Sequence, residues 1–224
     1  MRSSKAIENE LAPALEALGL FCFGWFVMAD EPFTGHKAVL IGNRAEGGTH
    51  GMWKVFQASA EFVDCSPNSL DRWSSGVIGP IAAEHGATAL YPFGERLWPF
   101  QRYAKQATGM RSSPLGLLIH PDYGLWQAFR SVLVFGEDIT LEARSGLAHP
   151  CDTCVEKPCL DACPVGAFSE NGFTVADCRR HLKSGDDPDC MALGCRARDA
   201  CPVGISYEQA QIRFHMKAFG KAGE

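Results

Sequence analysis

The six residues DACPVG occur twice in this chain, at 161–166 and at 199–204. Each copy closes a run of cysteines. Cys151, Cys154, Cys159 and Cys163 precede the first Pro-Val-Gly, and Cys178, Cys190, Cys195 and Cys201 precede the second. Eight of the ten cysteines therefore fall within 51 residues, in two similar halves. A C-x2-C-x4-C-x3-C-P run followed by a second C-P motif is the sequence shape of a chain that holds two [4Fe–4S] clusters. Thiolates are soft ligands suited to the tetrahedral iron sites of a cubane. Three closely spaced cysteines bracket one cubane, and in two-cluster ferredoxins the fourth ligand comes from the other half's C-P cysteine. That rule assigns Cys151, Cys154, Cys159 and Cys201 to one cluster, and Cys178, Cys190, Cys195 and Cys163 to the other. Crossed ligation of this kind ties the two ends of the segment together, so loss of the clusters should unfold it.

Zinc is the alternative, because four-cysteine zinc sites tolerate C-x2–4-C spacing. It leaves the repeated C-x3-C-P unexplained. Cys22 and Cys65 stand apart in apolar or loop contexts and are expected to be buried or unreactive thiols. Arg179, Arg180, Lys183, Arg196 and Arg198 lie among the cluster cysteines. They read mainly as a solvated surface offset by Asp186, Asp187, Asp189 and Asp199, with a docking face for an acidic redox partner as the other reading. His149 reads as a linker residue beside Cys151.

The chain has 224 residues, enough for one ordinary domain and a small one. A hydrophobic share of 46% with 21% charged residues is the composition of a globular protein. The net charge of −5 argues against general nucleic-acid affinity, which normally shows as a basic domain. The first residues, MRSSKAIENELAPALEALG, lack the apolar centre of an export signal. The most apolar run, LGLFCFGWFVM at 18–28, is far short of the about 20 residues a bilayer span needs, and reads as a buried strand. A cytoplasmic, reducing location is therefore expected, where a cysteine framework reads as metal-binding rather than disulfide-bonded.

Residues 5–18 fit a helix with Ile7, Leu11, Leu15 and Leu18 on one face. Strands are expected at 20–28, 37–42, 87–93, 114–120 and 131–138. A helix capped by Ser66, with Pro67 at its first position, is expected through Ile81, and a short one at 100–108. EGGTHG at 46–51 reads as a loop, not a dinucleotide fingerprint. The order of elements is α+β without clean βαβ alternation. A composition shift at 148–150 divides the chain into an N-terminal body, 1–148, and a cysteine domain, 149–224, closed by a helix over SYEQAQIRFHMKAF. Within the latter, Asn171-Gly172 between apolar pairs signals a hairpin. Gly166 and Gly204 let the backbone turn back beside a cluster, and Pro164 and Pro202 fix φ after a ligand.

The run SPLGLLIHPDYGLWQAFRSVLVF, followed about 15 residues later by PCDTCVEKPCLDACPVGAF, resembles the epoxyqueuosine reductases. Leu117, Leu118, Ile119, Pro121, Tyr123, Gly124 and Trp126 match the family's strand-and-turn motif, with His120 in place of an Asn. Cys178 and the later trio ending in Cys-Pro follow in the family's order. The resemblance covers about 113–204. It implies a nitroreductase- or cobalamin-reductase-like N-terminal domain, followed by a ferredoxin-like 2[4Fe–4S] domain whose ligands are the eight cysteines named above. It also implies a corrinoid (cobalamin) beside the clusters. After Arg102-Tyr103-Ala104 the family places an Asp-Tyr-His; this chain reads KQATGM. Reduction of tRNA is not carried over.

Two functional readings follow. One is an iron–sulfur reductase in which clusters deliver single electrons to a corrinoid or small substrate in the first domain, with a protein as electron donor. The other is a ferredoxin-like electron carrier or adaptor without its own substrate site. A pocket around His120–Trp126 would favour the first, and His120 is a candidate lower ligand to cobalt. Those same apolar residues, with Phe129, Val132 and Leu133, would equally form core. No nucleophile–base pair or paired carboxylates stand out, so the catalytic residues are unknown.

Overall fold

The structure is a computed structural model describing residues 2–45, 51–136, 138–143, 146–169, 172–185 and 189–221. Most of the EGGTHG loop (46–50), Asn171 of the hairpin signal, Asp186 and Asp187 lie outside the described residues. The architecture is mixed α+β and divides into two compact units: Met1–Gly109 with Gln127–Gly146, and Met110–Trp126 with Leu147–Glu224. The segment 110–126, assigned by composition to the first body, packs with the cysteine-rich unit. Its apolar residues Leu115, Ile119 and Leu125 join one core with Cys159 and Ala197. Tertiary burial here outweighs proximity along the chain.

The first unit begins with β1 (Arg2–Ser3), α1 (Ser4–Glu16), β2 (Phe21–Val27) and β3 (Lys37–Arg44). It continues through α2 (Met52–Gln57), α3 (Ala60–Val63), α4 (Ser69–Glu84), β4 (Ala87–Leu90) and α5 (Phe100–Thr108). The chain then makes β5 (Arg111–Ser112) and β6 (Leu118–Ile119) of the second unit, and returns to the first with β7 (Gln127–Phe135) and β8 (Ile139–Thr140).

The main sheet has the order β2-β3-β7-β4 and is antiparallel throughout. Its central strands read as unbroken apolar runs because both faces are covered: Val39, Leu40, Ile41, Val132 and Leu133 are all at 0% exposure. On α1, Ser3 caps the first turn by accepting the Ala6 N–H at 3.1 Å. Ile7, Leu11 and Leu15 then recur on its buried face, while Leu18 falls in the turn beyond the helix. The apolar run at 18–28 forms an edge strand rather than a buried one. Only Phe26 of β2 is fully buried, because β3 is its one partner in the sheet. A bulge between Cys22 and Gly24 brings β2 against α5: a Cβ on Gly24 would lie 2.3 Å from the Ala107 carbonyl oxygen.

Two further expectations shift. Helix α4 starts at Ser69 after Asn68, which takes a left-handed φ of 54°, a conformation asparagine tolerates. Asn68, not Ser66, is the residue that precedes the first turn, and the Ser66 N–H is held by Asp64 Oδ1 at 2.8 Å in the turn before it. Arg72 grips the same carboxylate oxygen at 2.7 Å. The strand expected over 114–120 is only the two residues of β6, because Gly116 at φ 75° turns the chain just before it. Helices α2 and α3 were not evident from periodicity. Both are short, and they are held by a cluster in which Phe56 meets Phe62 and Trp73. Among the described residues no helix is long and apolar enough to cross a membrane.

An acid also sits beside Arg102-Tyr103, supplied through space. Arg102 donates to both oxygens of Asp30 at 2.5 and 2.6 Å, and Tyr103 donates its hydroxyl at 2.9 Å. The Arg102 hydrogen bond holds the Asp30 carboxyl below its ordinary range, against a partial opposing effect of burial. Tyr103 is fully buried, and its phenol is pushed upward, first by burial and then by Asp30. A carboxyl depressed in the fold adds stability above its unfolded pKa of about 3.9 and loses it as pH falls through the folded value. Asp30→Asn should therefore lower the denaturation midpoint at pH 7, and the gap from wild type should narrow below about pH 4. A gap that stayed constant with pH would disprove the ionic contribution.

Candidate metal centre

The second unit is completed by α6 (Pro150–Thr153), α7 (Pro158–Asp161), β9 (Phe168–Ser169) and β10 (Gly172–Phe173). Then follow α8 (Val175–Ser184), α9 (Asp189–Leu193), α10 (Arg196–Asp199) and α11 (Gln209–Lys221). The short helices α6 and α7 each open on a proline, whose fixed φ suits the first helical position. They present Cys151 and Cys159, with Cys154 in the loop between. Lys157 closes that loop. It adopts φ 43° and donates its ammonium to the carbonyls of Cys151 at 3.3 Å and Cys154 at 3.1 Å. β9 and β10 pair antiparallel, with Gly172 opposite Ser169 in the ladder rather than in a turn, and Phe168 stacks on Phe173 at 4.6 Å.

One cavity is lined by Cys151, Cys154, Cys159 and Cys201 and walled by Ile119, Leu125 and Pro202. Cys201 reaches it because α10 packs against α7, and because the chain at 203–204 passes directly over the turn at 123–124. A Cβ on Gly124 would fall 1.8 Å from the Val203 carbonyl oxygen, so this crossing needs glycine. Burial pushes the Cys151 thiol up, and the neighbouring Cys201, Cys159 and Cys154 push it further. Cys159 is raised by burial and then by Cys201 and Cys154.

The other four cysteines act on one another in a second group. Cys178 on α8 is pushed up to about 11, by burial first and then by Cys195, Cys163 and Cys190. Cys195 is raised mainly by burial, against the backbone N–H groups of Arg198 and Ala197, which favour its thiolate. Cys163 accepts the Ala167 N–H on its sulfur at 3.3 Å. Cys190, on α9, is 5% exposed. Helix α11 packs on α9 and α8 and covers this side. Gly194, at φ 99°, lets Ile212 approach to within 2.6 Å of the position a Cβ would take.

Chemically, neighbouring cysteines oppose ionisation of Cys151 and Cys159 in the first group and of Cys178 and Cys195 in the second. A cationic iron core reverses that cost by binding thiolates directly, so its binding would release protons. Among the described residues no group of three or more His, Cys, Asp or Glu side chains is placed to hold a single metal ion. All ten cysteines are free thiols.

The remaining candidates fall as follows. His120 belongs to the second unit, not to a pocket of the first. Its ring stacks on Tyr123 at 4.0 Å, and its Nδ1 accepts the backbone N–H of Asp122 at 3.1 Å. His149 precedes α6, and its imidazole pKa is lowered, chiefly by burial. Cys22 is half-buried and pushed up to about 12, mainly by burial, as an unreactive thiol should be. Cys65 is exposed rather than buried, in a turn at φ 54°. Arg196 pairs with Asp189 at 2.7 Å and Arg180 with Asp177 at 2.8 Å, as a solvated surface requires.

Arg198 differs from those surface cations. It donates to the Leu125 carbonyl at 2.6 Å and lies over the Trp126 ring at 4.0 Å. Its setting was hidden in the sequence because Leu125 and Trp126 lie far away along the chain. Lys157 was missed for another reason: nothing in a Glu-Lys-Pro tripeptide announces a lysine folded back onto two carbonyls.

No protein-family model matches the chain, and no curated protein matches it. Among solved structures it is similar to a C. elegans B12-trafficking protein, CblC. The TM-score is 0.47 and the identity 14%, covering 97% of this chain and 94% of that one. It is also similar to epoxyqueuosine reductase, solved with an epoxyqueuosine-modified tRNA-Tyr stem loop. Here the TM-score is 0.49 and the identity 16%, over 92% of this chain and 68% of that one.

Proposed function

We propose that this chain is an iron–sulfur oxidoreductase holding two [4Fe–4S] clusters. Cys151, Cys154, Cys159 and Cys201 would bind one, and Cys163, Cys178, Cys190 and Cys195 the other. The observation that carries the reading is the cavity lined by three cysteines of the first repeat and Cys201 of the second. A fourth ligand from the other half is the pattern of two-cluster ferredoxins, and the spacing of the two Cys-Pro motifs points to Cys201 for that place. When bound, the clusters would supply single-electron transfer.

The chain's own residues set the conditions for it. Ile119, Leu125 and Pro202 wall the first cavity with apolar surface. The Ala167 N–H stabilises negative charge on the Cys163 sulfur, and the Lys157 ammonium lowers the cost of charge at Cys151. The first unit, a nitroreductase- or cobalamin-reductase-like body, would receive the electrons on a corrinoid or another small substrate. A redox protein in a reducing, cytoplasmic setting would supply them. This part rests on the resemblance of residues 113–204 to the epoxyqueuosine reductases.

The test is anaerobic reconstitution with iron and sulfide, followed by metal analysis, absorbance and EPR. The expected result is a brown protein with about eight iron and eight sulfide per chain, as two cubanes require. A colourless protein that binds zinc tightly and forms no cluster would overturn the reading. Adding cob(II)alamin to the reconstituted protein should change the cobalt EPR signal at stoichiometric amounts. An unchanged cobalt signal beside intact cluster spectra would leave an electron carrier.

A further inference from the structure

We propose that Lys157 is the clamp of the Cys151/Cys154/Cys159/Cys201 site, a positioning residue whose ammonium fixes the backbone of two ligands against the cavity and biases the cluster held there toward its reduced state. The inference rests on the two-cluster reading and concerns how the two sites differ.

Each half of the cysteine segment has one pair of ligands separated by four residues, Cys154 and Cys159 in the first and Cys190 and Cys195 in the second. These equal loops are held in unequal ways. In the second, 191–194, only Leu193 is exposed. Helix α11 packs on α9 there, and Ile212 comes within 2.6 Å of the position a Gly194 Cβ would take. The first loop, 155–158, starts out in solvent: Val155 is 92% exposed, and Glu156 is exposed as well. Loop residues without burial keep conformational freedom that binding a cluster must remove.

Lys157 supplies what packing does not. Its Nζ donates to the Cys154 carbonyl at 3.1 Å and to the Cys151 carbonyl at 3.3 Å, three and six residues back. Both acceptors belong to residues of the four-cysteine cavity, and Lys157 lines that cavity with them. One ammonium thus ties together the backbone of two ligands. The chain is committed to this arrangement. Lys157 stands at φ 43° and ψ 56°, a left-handed conformation that a non-glycine residue keeps only where its surroundings enforce it. Among the described residues no carboxylate pairs with Lys157, whereas Arg196 and Arg180 each have an aspartate. Its charge is therefore not cancelled by a neighbouring acid, and it opposes the upward push on the Cys151 thiol.

A cluster gains one negative charge on one-electron reduction, and its potential follows the net charge and hydrogen bonding around it. A cation at the cavity wall favours the more negative state. Removing Lys157 should therefore loosen the first cluster and lower its potential, and leave the second as it was.

The experiment uses the reconstituted full chain, Lys157→Met and Lys157→Arg. Each is followed by EPR-monitored redox titration and by the rate of cluster loss to an iron chelator. The signal missing from Cys159→Ala identifies the first cluster. Lys157→Met should lose that cluster about tenfold faster, because charge-assisted hydrogen bonds are the stronger kind, and its potential should fall. The second cluster should keep its rate and its potential. Lys157→Arg retains the charge and the donors and should recover most of both effects. If Lys157→Met assembles no first cluster, assembly in Lys157→Arg with a potential near wild type supports the clamp. Faster loss with an unmoved potential, equal behaviour of the Met and Arg variants, or equal effects at both clusters would overturn it. Wild-type protein lacking two cubane signals would remove the two-cluster reading itself. An unaltered Lys157→Met beside two wild-type signals would remove only this proposal.

Discussion

Cys159→Ala and Cys201→Ala should remove the same cluster, although the residues belong to different halves of the chain. Both line one cavity with Cys151 and Cys154. Cys201 raises the cost of ionising Cys159 and Cys151, and is the first cysteine acting on each. A cubane that loses one of four thiolates loses an iron ligand in a pocket with no replacement cysteine. In the reconstituted protein either variant should fall from about eight to about four iron per chain. The surviving EPR signal should be identical in the two. Cys163→Ala should remove the complementary signal, because Cys163 acts on Cys178 and Cys195. If Cys159→Ala and Cys163→Ala lost the same cluster, ligation would be within each half and the crossing would be wrong.

The second large effect is expected at Gly204. It has φ 81°, and a Cβ there would lie 2.4 Å from both the carbonyl carbon and oxygen of Tyr123 and 2.8 Å from the Gly124 nitrogen. All three are backbone atoms and cannot swing aside. A left-handed non-glycine residue costs about 1–2 kcal/mol, and forcing extra bulk into packed structure about 1–3 more. Gly204→Ala should therefore destabilise the second unit by about 2–5 kcal/mol. Gly166 is the matched control. It occupies the same place in the first DACPVG copy with φ 56°, but a Cβ there meets nothing within 4 Å. Gly166→Ala should cost only the conformational part, about 1–2 kcal/mol. Denaturation midpoints followed by circular dichroism would compare them. Equal losses at the two glycines would show that the 123–124/203–204 crossing contributes nothing.

Much of the fold was legible wherever burial followed a local period. The α1 face of Ile7, Leu11 and Leu15, the continuous apolar runs of β3 and β7, and the hairpin around Phe168 and Phe173 each came from short-range pattern. Elements held by contacts distant in sequence did not. Helices α2 and α3 carry no long amphipathic period and depend on the Phe56–Trp73 cluster. The start of α4 lies at Ser69, after a turn in which Asp64 holds both the Ser66 N–H and Arg72, an arrangement that joins residues up to eight apart. Asp30 was invisible as a partner of Arg102 and Tyr103, since a short loop acid carries no signal of which helix it will meet.

The sequence by itself named the candidate ligands. Cysteine spacing and the repeated Cys-Pro follow the pattern in which the fourth thiol comes from the other half, and Cys201 does line one cavity with Cys151, Cys154 and Cys159. Only the tertiary structure decided what surrounds them. The two copies of DACPVG are identical in letters, yet one glycine faces open space and the other lies against Tyr123. Arg198 became a half-buried cation held by a carbonyl and an indole rather than a free surface charge because the segment carrying Leu125 and Trp126 packs into the cysteine unit. Packing sets dielectric, countercharge and steric room through contacts between residues far apart in the chain, and no local pattern encodes those distances.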